Sequence, residues 1–338
     1  MHHTSRTVRR RAGALAAVLA VGALGLAACG DDDSGSGSSG GSSSSSGGDK
    51  GGKLTLIAGV KGDEFYITMN CGAKAEAQKQ GYSLDFQGPD QFDASLQTPV
   101  VSAVTAKKPD GVLVAPTDTK AMYAPIKQMA DNGSKVVLVD TTLDQPDMAV
   151  SQIASDNVGG GKEAAKALGK LIGGSGKVFV VNVKPGISTT DQRGKGFEDE
   201  AKSLGLDYLG QDYSNDQPEK AAAIVKAQLA KNPDLKGIFA TNLFSAEGAA
   251  SGLREAGKLD SVKIVGFDAG PKQVQDLKDG VVQALIAQQP AEIGKLGVQQ
   301  AVAAIKGETT KPTIGTGFST ITKDNLADNQ DALYKSDC

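Results

Sequence analysis

The chain has 338 residues, with 36 Lys and Arg against 39 Asp and Glu, and its only two histidines are His2 and His3. Beyond residue 3 there is thus no histidine base or ligand, which excludes Ser-His-Asp and Cys-His nucleophilic machinery and histidine-held metal from the rest of the chain. The first 28 residues hold four arginines and no acids, so without them the balance is 32 − 39, or −7, the wrong sign for a nucleic-acid partner.

Residues 1–28 carry Arg6, Arg9, Arg10 and Arg11 ahead of a small-residue apolar run from Ala12 to Ala28. That run is too short and too rich in alanine for a membrane span and reads as an export signal, by the general or the twin-arginine route. It closes on Leu26-Ala27-Ala28-Cys29-Gly30, which resembles the lipobox of bacterial lipoproteins. The resemblance implies that Cys29 becomes lipid-modified as the first mature residue, anchoring the protein on the outer face of the cell membrane. Residues 29–52 are almost entirely Ser, Gly and Asp, a composition that cannot bury a core. As a flexible tether it spans about 25 Å, from roughly 5 to 6 Å times the square root of its length.

The remaining body exceeds the usual size of one core and is expected to form two domains. Short apolar runs at 54–60, 112–115, 136–140, 178–183, 238–241, 264–268 and 281–286 read as strands. Helical stretches lie between them; in 66–80, for example, Met69, Ala73 and Ala77 recur at helical spacing. Strand and helix in alternation predict an α/β protein with parallel sheets covered on both faces. Three landmarks recur at one offset: Lys53 and Lys177 open strand-helix-strand units 124 residues apart (177 − 53), Gly81 and Gly205 end their helices (205 − 81), and Pro109-Asp110 returns as Pro233-Asp234 (233 − 109). The chain therefore reads as two similar halves. In that register Asp140 and Asp268 end equivalent strands, with a small insertion (268 − 140 = 128). Each half then presents a carboxylate at the carboxyl edge of its sheet, where ligands bind in open α/β folds, unless the pair merely caps the following helices.

Apart from Cys29 the cysteines are Cys71 and Cys338. They are either two free thiols or, most simply in an exported chain, one disulfide clipping the C-terminal tail to the first helix. No metal-ligand spacing is present. Gly176-Lys177 leads into a strand, and Gly161-Lys162 is followed by Glu163 where a phosphate loop needs Ser or Thr. No cofactor is expected.

Four segments carry a wider resemblance: Ile153-Ala154-Ser155-Asp156-Asn157-Val158, Arg193-Gly194-Lys195-Gly196-Phe197, Val265-Gly266-Phe267-Asp268 and Ile286-Ala287-Gln288-Gln289-Pro290. Together, over about residues 53–323, the sequence resembles the ribose-type periplasmic sugar-binding proteins, the receptors of ABC importers. The resemblance implies a type I periplasmic binding protein fold of two Rossmann-like lobes joined by three crossings, near Ser155, Gln288 and Gly317. The first lobe would be 53–155 plus 289–317, and the second 156–288 plus 318–338. It further implies a monomer that binds a small polyhydroxy ligand and presents it to a membrane permease.

Residue by residue, the resemblance assigns Asp268 and Asp140 to accept from sugar hydroxyls, since a carboxylate only accepts. Arg193 would donate with its planar fork, Asn242 and Gln288 would donate and accept, and Phe65 and Tyr66 would cover the apolar face of the ring. Asp63 stands where the family commonly has asparagine, and Thr141 where ribose receptors carry an arginine. Ala115 replaces an asparagine. The aromatic expected near 216 gives way to Asn215-Asp216-Gln217, with Phe244 as a candidate replacement. These departures imply a pocket other than that for ribose, suited to a hexose, a cyclitol or a sugar alcohol. Replacing Asp268 by alanine is expected to abolish binding with the fold intact. Two competing readings remain at this stage: a receptor that signals to a membrane partner, and a sugar-modifying enzyme using Asp140 and Asp268 as acid and base.

Overall fold

The computed structural model describes residues 51–338. The expected export segment, Cys29 and all but the last two residues of the expected tether lie outside the described residues. The first run of elements is β1 (Lys53–Ile57), α1 (Glu64–Lys79), β2 (Ser83–Gln87), α2 (Ala94–Lys107), β3 (Gly111–Val114), α3 (Tyr123–Asp131), β4 (Lys135–Val139) and β5 (Ala149–Ser155). The second is α4 (Asn157–Leu171), β6 (Lys177–Asn182), α5 (Ser188–Ser203), β7 (Asp207–Tyr213), α6 (Pro218–Lys231), β8 (Leu235–Ala240), α7 (Leu243–Glu255), β9 (Lys263–Phe267), α8 (Pro271–Lys278) and β10 (Ala284–Ala287). The chain ends with α9 (Pro290–Ile305), β11 (Thr313–Thr316), β12 (Ser319–Thr322) and a 3-10 helix over Leu326–Ala332.

Two six-stranded sheets result, ordered β11-β5-β4-β3-β1-β2 and β12-β10-β9-β8-β6-β7. Every pairing is parallel except that of β12 with β10. The two orders are the same arrangement twice over, and the offsets agree: β1 to β6, β2 to β7 and β3 to β8 are each 124 residues apart (177 − 53, 207 − 83, 235 − 111). From β4 to β9 the offset is 128 (263 − 135), so the insertion lies between the third and fourth strands of the second lobe. The chain passes from one sheet to the other three times, after β5, after β10 and after β11.

Interior strands are buried without a break, as in Leu113 and Val114 of β3 or Val136 to Val139 of β4. Sheets covered on both faces impose that pattern, because no side of an inner strand meets water. Within each lobe, helices approach closely where glycine permits. A Cβ on Gly161 of α4 would sit 2.1 Å from the Arg193 carbonyl oxygen, and one on Gly196 of α5 would sit 2.2 Å from that of Val158. Only glycine lets these backbones touch, and the contact sets the backbone that carries Arg193. The tail starts on the second lobe, where β12 pairs with β10. It reaches both lobes, and its last residue, Cys338, is bonded to Cys71 of α1.

Candidate functional site

Asp140 and Asp268 are each the first residue beyond a strand, β4 and β9, and both adopt a left-handed backbone, with φ of 63° and 78°. Aspartate tolerates that region better than most residues. The backbone N–H of Asp140 donates to Ile153 O at 2.8 Å, and that of Asp268 donates to Ile286 O at 2.9 Å. Each aspartate is thus pinned to the neighbouring strand while its side chain turns off the sheet edge. Asp63 follows β1 of the first half and Asn242 follows β8 of the second, and they cap α1 and α7: Asp63 Oδ1 accepts from Phe65 N at 2.8 Å, and Asn242 Oδ1 from Ser245 N at 3.2 Å.

These edges face each other around one shared cavity, at the carboxyl ends of the strands where ligands bind in open α/β folds. Asp63, Phe65, Tyr66, Asp140, Arg193, Asn242, Asp268 and Gln288 all line it. Thr141 does not: its buried hydroxyl donates to Pro116 O at 2.7 Å and is consumed within its own lobe. Phe244 is also absent from the lining and instead packs half-buried against the core, so the second lobe contributes Val183 and Ile187 in place of an aromatic ring.

Five lining residues, Phe92, Val183, Ile187, Thr189 and Thr190, had no place in the site as read from sequence. Phe92 joins Phe65 on the first-lobe wall, and Thr189, Thr190 and Ile187 enter from the start of α5 and the residue before it. Thr189 and Thr190 stand four and three residues before Arg193, so helical spacing on the face that carries the arginine was the available signal. Room for Phe92 comes from Gly59, where a Cβ would lie 2.4 Å from that ring and 2.5 Å from Tyr66 Oη.

The lining is rich in acceptors. Tyr66 Oη donates to Asp140 Oδ2 at 2.7 Å, and Asn242 Nδ2 to Asp216 Oδ1 at 2.6 Å. Asp63, Asp140 and Asp216 each keep one oxygen that no donor reaches among the described residues. Thr190 Oγ1 is buried and has no partner among the described residues. Against these stands one guanidinium. Arg193 Nε donates to Asn157 Oδ1 and Nη1 to Thr241 O, both at 2.9 Å, while its plane lies 3.9 Å from the centre of the Phe267 ring. Those contacts fix the fork and leave Nη2 for another acceptor.

Burial dominates the electrostatics. It pushes the Asp140 carboxyl up to about 6, against the opposing pull of Arg193 and the Tyr66 hydroxyl. Burial also takes Asp216 to about 6 despite its bond from Asn242. Asp63 rises well above the ordinary range, through burial first and then the charges of Asp268 and Asp216. Asp268 is raised by burial and relieved by Arg193, Gln288 and Tyr334. Carboxylates so placed favour donors brought in by a ligand, which replace the water they have lost. Among the described residues no group of His, Cys, Asp or Glu is arranged to hold a metal ion.

The lobes are closed over this space. Lys184 Nζ of the second lobe donates to Phe92 O at 3.0 Å, the Thr119 N–H to Gly186 O at 3.1 Å, and the Thr142 N–H to Ser188 Oγ at 2.9 Å. All three run from the segment after β6 to loops of the first lobe.

Two duplicated α/β lobes around a polar, acceptor-rich cavity at their facing carboxyl edges define a small-ligand receptor that works by closure. The periplasmic binding protein domain model matches residues 54–309. The ribose import binding protein RbsB of Salmonella typhimurium is 32% identical over 255 residues, 75% of this chain and 85% of that protein. The D-ribose/D-allose-binding protein of Pseudomonas aeruginosa is 32% identical over 265 residues, 76% and 83% of the two chains. Among solved structures, an ABC transporter solute-binding protein from Agrobacterium vitis bound with α-D-tagatopyranose superposes with a TM-score of 0.81 at 44% identity, covering 84% of this chain and 99% of its own. The chain belongs to the periplasmic binding protein family, among its ribose-type sugar-binding receptors.

Proposed function

We propose that the protein captures a monosaccharide or related polyol between its lobes and delivers it to an ABC permease, tethered through Cys29 to the outer face of the cell membrane and acting as a monomer. The observation that carries this reading is the set of unanswered polar atoms around the cavity: one oxygen each on Asp63, Asp140 and Asp216, and the Thr190 hydroxyl. A polyhydroxy ring supplies a donor to each carboxylate oxygen and a partner to the Thr190 hydroxyl, whose burial without one costs about 1 to 3 kcal/mol. Phe65 and Phe92 offer flat apolar surface to the C–H face of such a ring. Arg193 and Gln288 answer its oxygens. Residues 53–155 with 289–317, and 156–288 with 318–338, act as the two bodies that close. The ligand is bound and released unchanged.

Thr141 stands where ribose receptors carry an arginine, and the second lobe brings no aromatic ring to the lining, so the pocket differs from one built for ribose. The Agrobacterium vitis relative, at 44% identity, holds a ketohexose, which makes D-tagatose the first candidate. A thermal-shift screen of the full chain against D-tagatose, D-allose, D-ribose, D-arabinose, D-fucose, inositols and sugar alcohols tests the reading. A ligand at 100 times its dissociation constant adds about 2.7 kcal/mol, and the sugar is to be recovered chemically intact. No shift with any polyhydroxy compound, or consumption of one, overturns it.

A further inference from the structure

The tail forms a fourth link between the lobes, on the side of the cavity where the three chain crossings lie. After β12 it runs along the second lobe, where the Tyr334 N–H donates to Ala269 O at 3.0 Å. One residue later it has changed lobes: the Lys335 N–H donates to Thr68 Oγ1 of α1 at 2.7 Å. Three residues further, Cys338 is joined to Cys71 on the same helix, with Cα atoms 5.4 Å apart.

Tyr334 sits at the changeover, 5% exposed, and touches all three parts of the molecule. Its ring meets that of Phe65 on the cavity wall edge to face, with centroids 5.9 Å apart. Its hydroxyl donates to Asp268 Oδ1 at 3.0 Å and accepts from the backbone N–H of Gln288 at 3.0 Å. Gln288 Nε2 also donates to Asp268 Oδ1, at 2.7 Å, and its Oε1 accepts from Ser155 Oγ at 2.9 Å. Ser155 Oγ in turn lies 3.4 Å from Thr316 Oγ1. Ser155, Gln288 and Thr316 stand at the three crossings, so one buried chain of hydrogen bonds joins every crossing and the tail to the second-lobe aspartate.

We propose that residues 326–338 form a covalent strap across the hinge, in which the Cys71–Cys338 bond holds Tyr334 as a positioning residue for Asp268 and limits how far the lobes open. Opening must move α1 away from Asp268 and Ala269, and the strap is fastened to both. With the bond cut, residues 335–338 are held to α1 by the Lys335 backbone bonds with Thr68, and the covalent limit on moving α1 away from Tyr334 is gone. The inference rests on the receptor reading for its binding arm and is independent of it for its opening arm.

The test uses the full chain, oxidised or treated with dithiothreitol, together with Tyr334→Phe and a Cys71→Ser/Cys338→Ser double variant, each checked by circular dichroism. Without sugar, reduction and the double variant are expected to enlarge the radius of gyration in small-angle scattering and to speed hydrogen exchange of the Tyr334 and Lys335 amides about tenfold. Dithiothreitol should do nothing further to the double variant. Unchanged scattering and exchange on reduction overturn the strap. Tyr334→Phe keeps the ring and the disulfide and removes only the hydroxyl. With D-tagatose, D-allose and D-ribose as probes, whichever binds the parent should bind this variant about tenfold more weakly, with the acid limb of binding moved to higher pH because Asp268 has lost a donor. Equal affinity and an unmoved limb overturn the positioning role. If none of the three sugars binds the parent, the receptor reading loses its support, while scattering and exchange still decide the strap.

Discussion

Asp140 and Asp268 occupy equivalent places in the two lobes, with the same left-handed backbone and the same N–H bond to the next strand, yet their side chains live differently. Asp140 takes one protein donor, Tyr66. Asp268 takes three: Leu243 N at 3.0 Å, Gln288 Nε2 at 2.7 Å and Tyr334 Oη at 3.0 Å. Duplication supplied the same residue twice, and the hinge and tail then surrounded only one copy. Asp140 is mainly available to a ligand, whereas Asp268 also holds the crossings together.

Removing each side chain in turn separates the two roles. Asp268→Ala leaves three buried donors without an acceptor, at about 1 to 3 kcal/mol each. It is therefore expected to lose sugar binding and at least about 3 kcal/mol of stability, against the expectation from sequence of an intact fold. Asp140→Asn keeps an oxygen for the Tyr66 hydroxyl and removes only the charge. Affinity should fall about 10- to 100-fold, the value of a charge-assisted hydrogen bond, with the melting temperature unchanged or higher. Calorimetry and thermal melts on both variants check this, and equal losses of stability would erase the distinction.

The sequence carried the interior of the fold better than its margins. Apolar runs marked the buried strands β1, β3, β4, β6, β8, β9 and β10. β2, β7, β11 and β12 were invisible to that criterion because edge strands are half solvated; β2 reads Ser-Leu-Asp-Phe-Gln and β11 Thr-Ile-Gly-Thr. β5, one place in from an edge, alternates buried and half-buried residues and lacks a continuous run. At the site, residues at strand ends and helix starts were legible through the family motif. Tyr334 was not, because it reaches Asp268 from 66 positions away with no periodicity linking them. The pairing of Cys338 with Cys71 was the one available hint that the tail returns to α1. Thr141 misled for the opposite reason: sequence register placed it beside Asp140, and the chain then turned its hydroxyl toward Pro116.

Titration sharpens the comparison at a smaller scale. The carboxyls of Asp140 and Asp216 are lifted by burial from 3.8 to about 6, so the folded protein binds these protons more tightly than the unfolded chain. Their contribution to stability is full below about 4 and is lost as pH rises through about 6. Affinity runs the other way, because the neutral acid no longer accepts as a carboxylate. Between pH 7.5 and 5 the sugar-free protein should gain stability from these two groups while affinity falls about tenfold for each group that must be ionised. Titration calorimetry across that range checks the slope. In Asp140→Asn the slope should shallow by one proton, and an unchanged slope would mean that Asp140 is not among the acceptors.

The smallest effect is expected where the segment after β6 fastens the closed lobes with three bonds, two of them from backbone N–H groups. Ser188→Ala removes the acceptor for the Thr142 N–H, and Lys184→Ala the donor to Phe92 O. Both groups lie at the rim, where water replaces the lost partner, so each is worth about 0.5 to 1.5 kcal/mol. These bonds exist only when the lobes are shut, so their loss should raise the rate of sugar release about 2- to 10-fold and leave capture nearly unchanged. Stopped-flow release measures this directly. A slower capture rate with unchanged release would instead mean that the segment guides the sugar into the open cleft and has no part in holding the lobes closed.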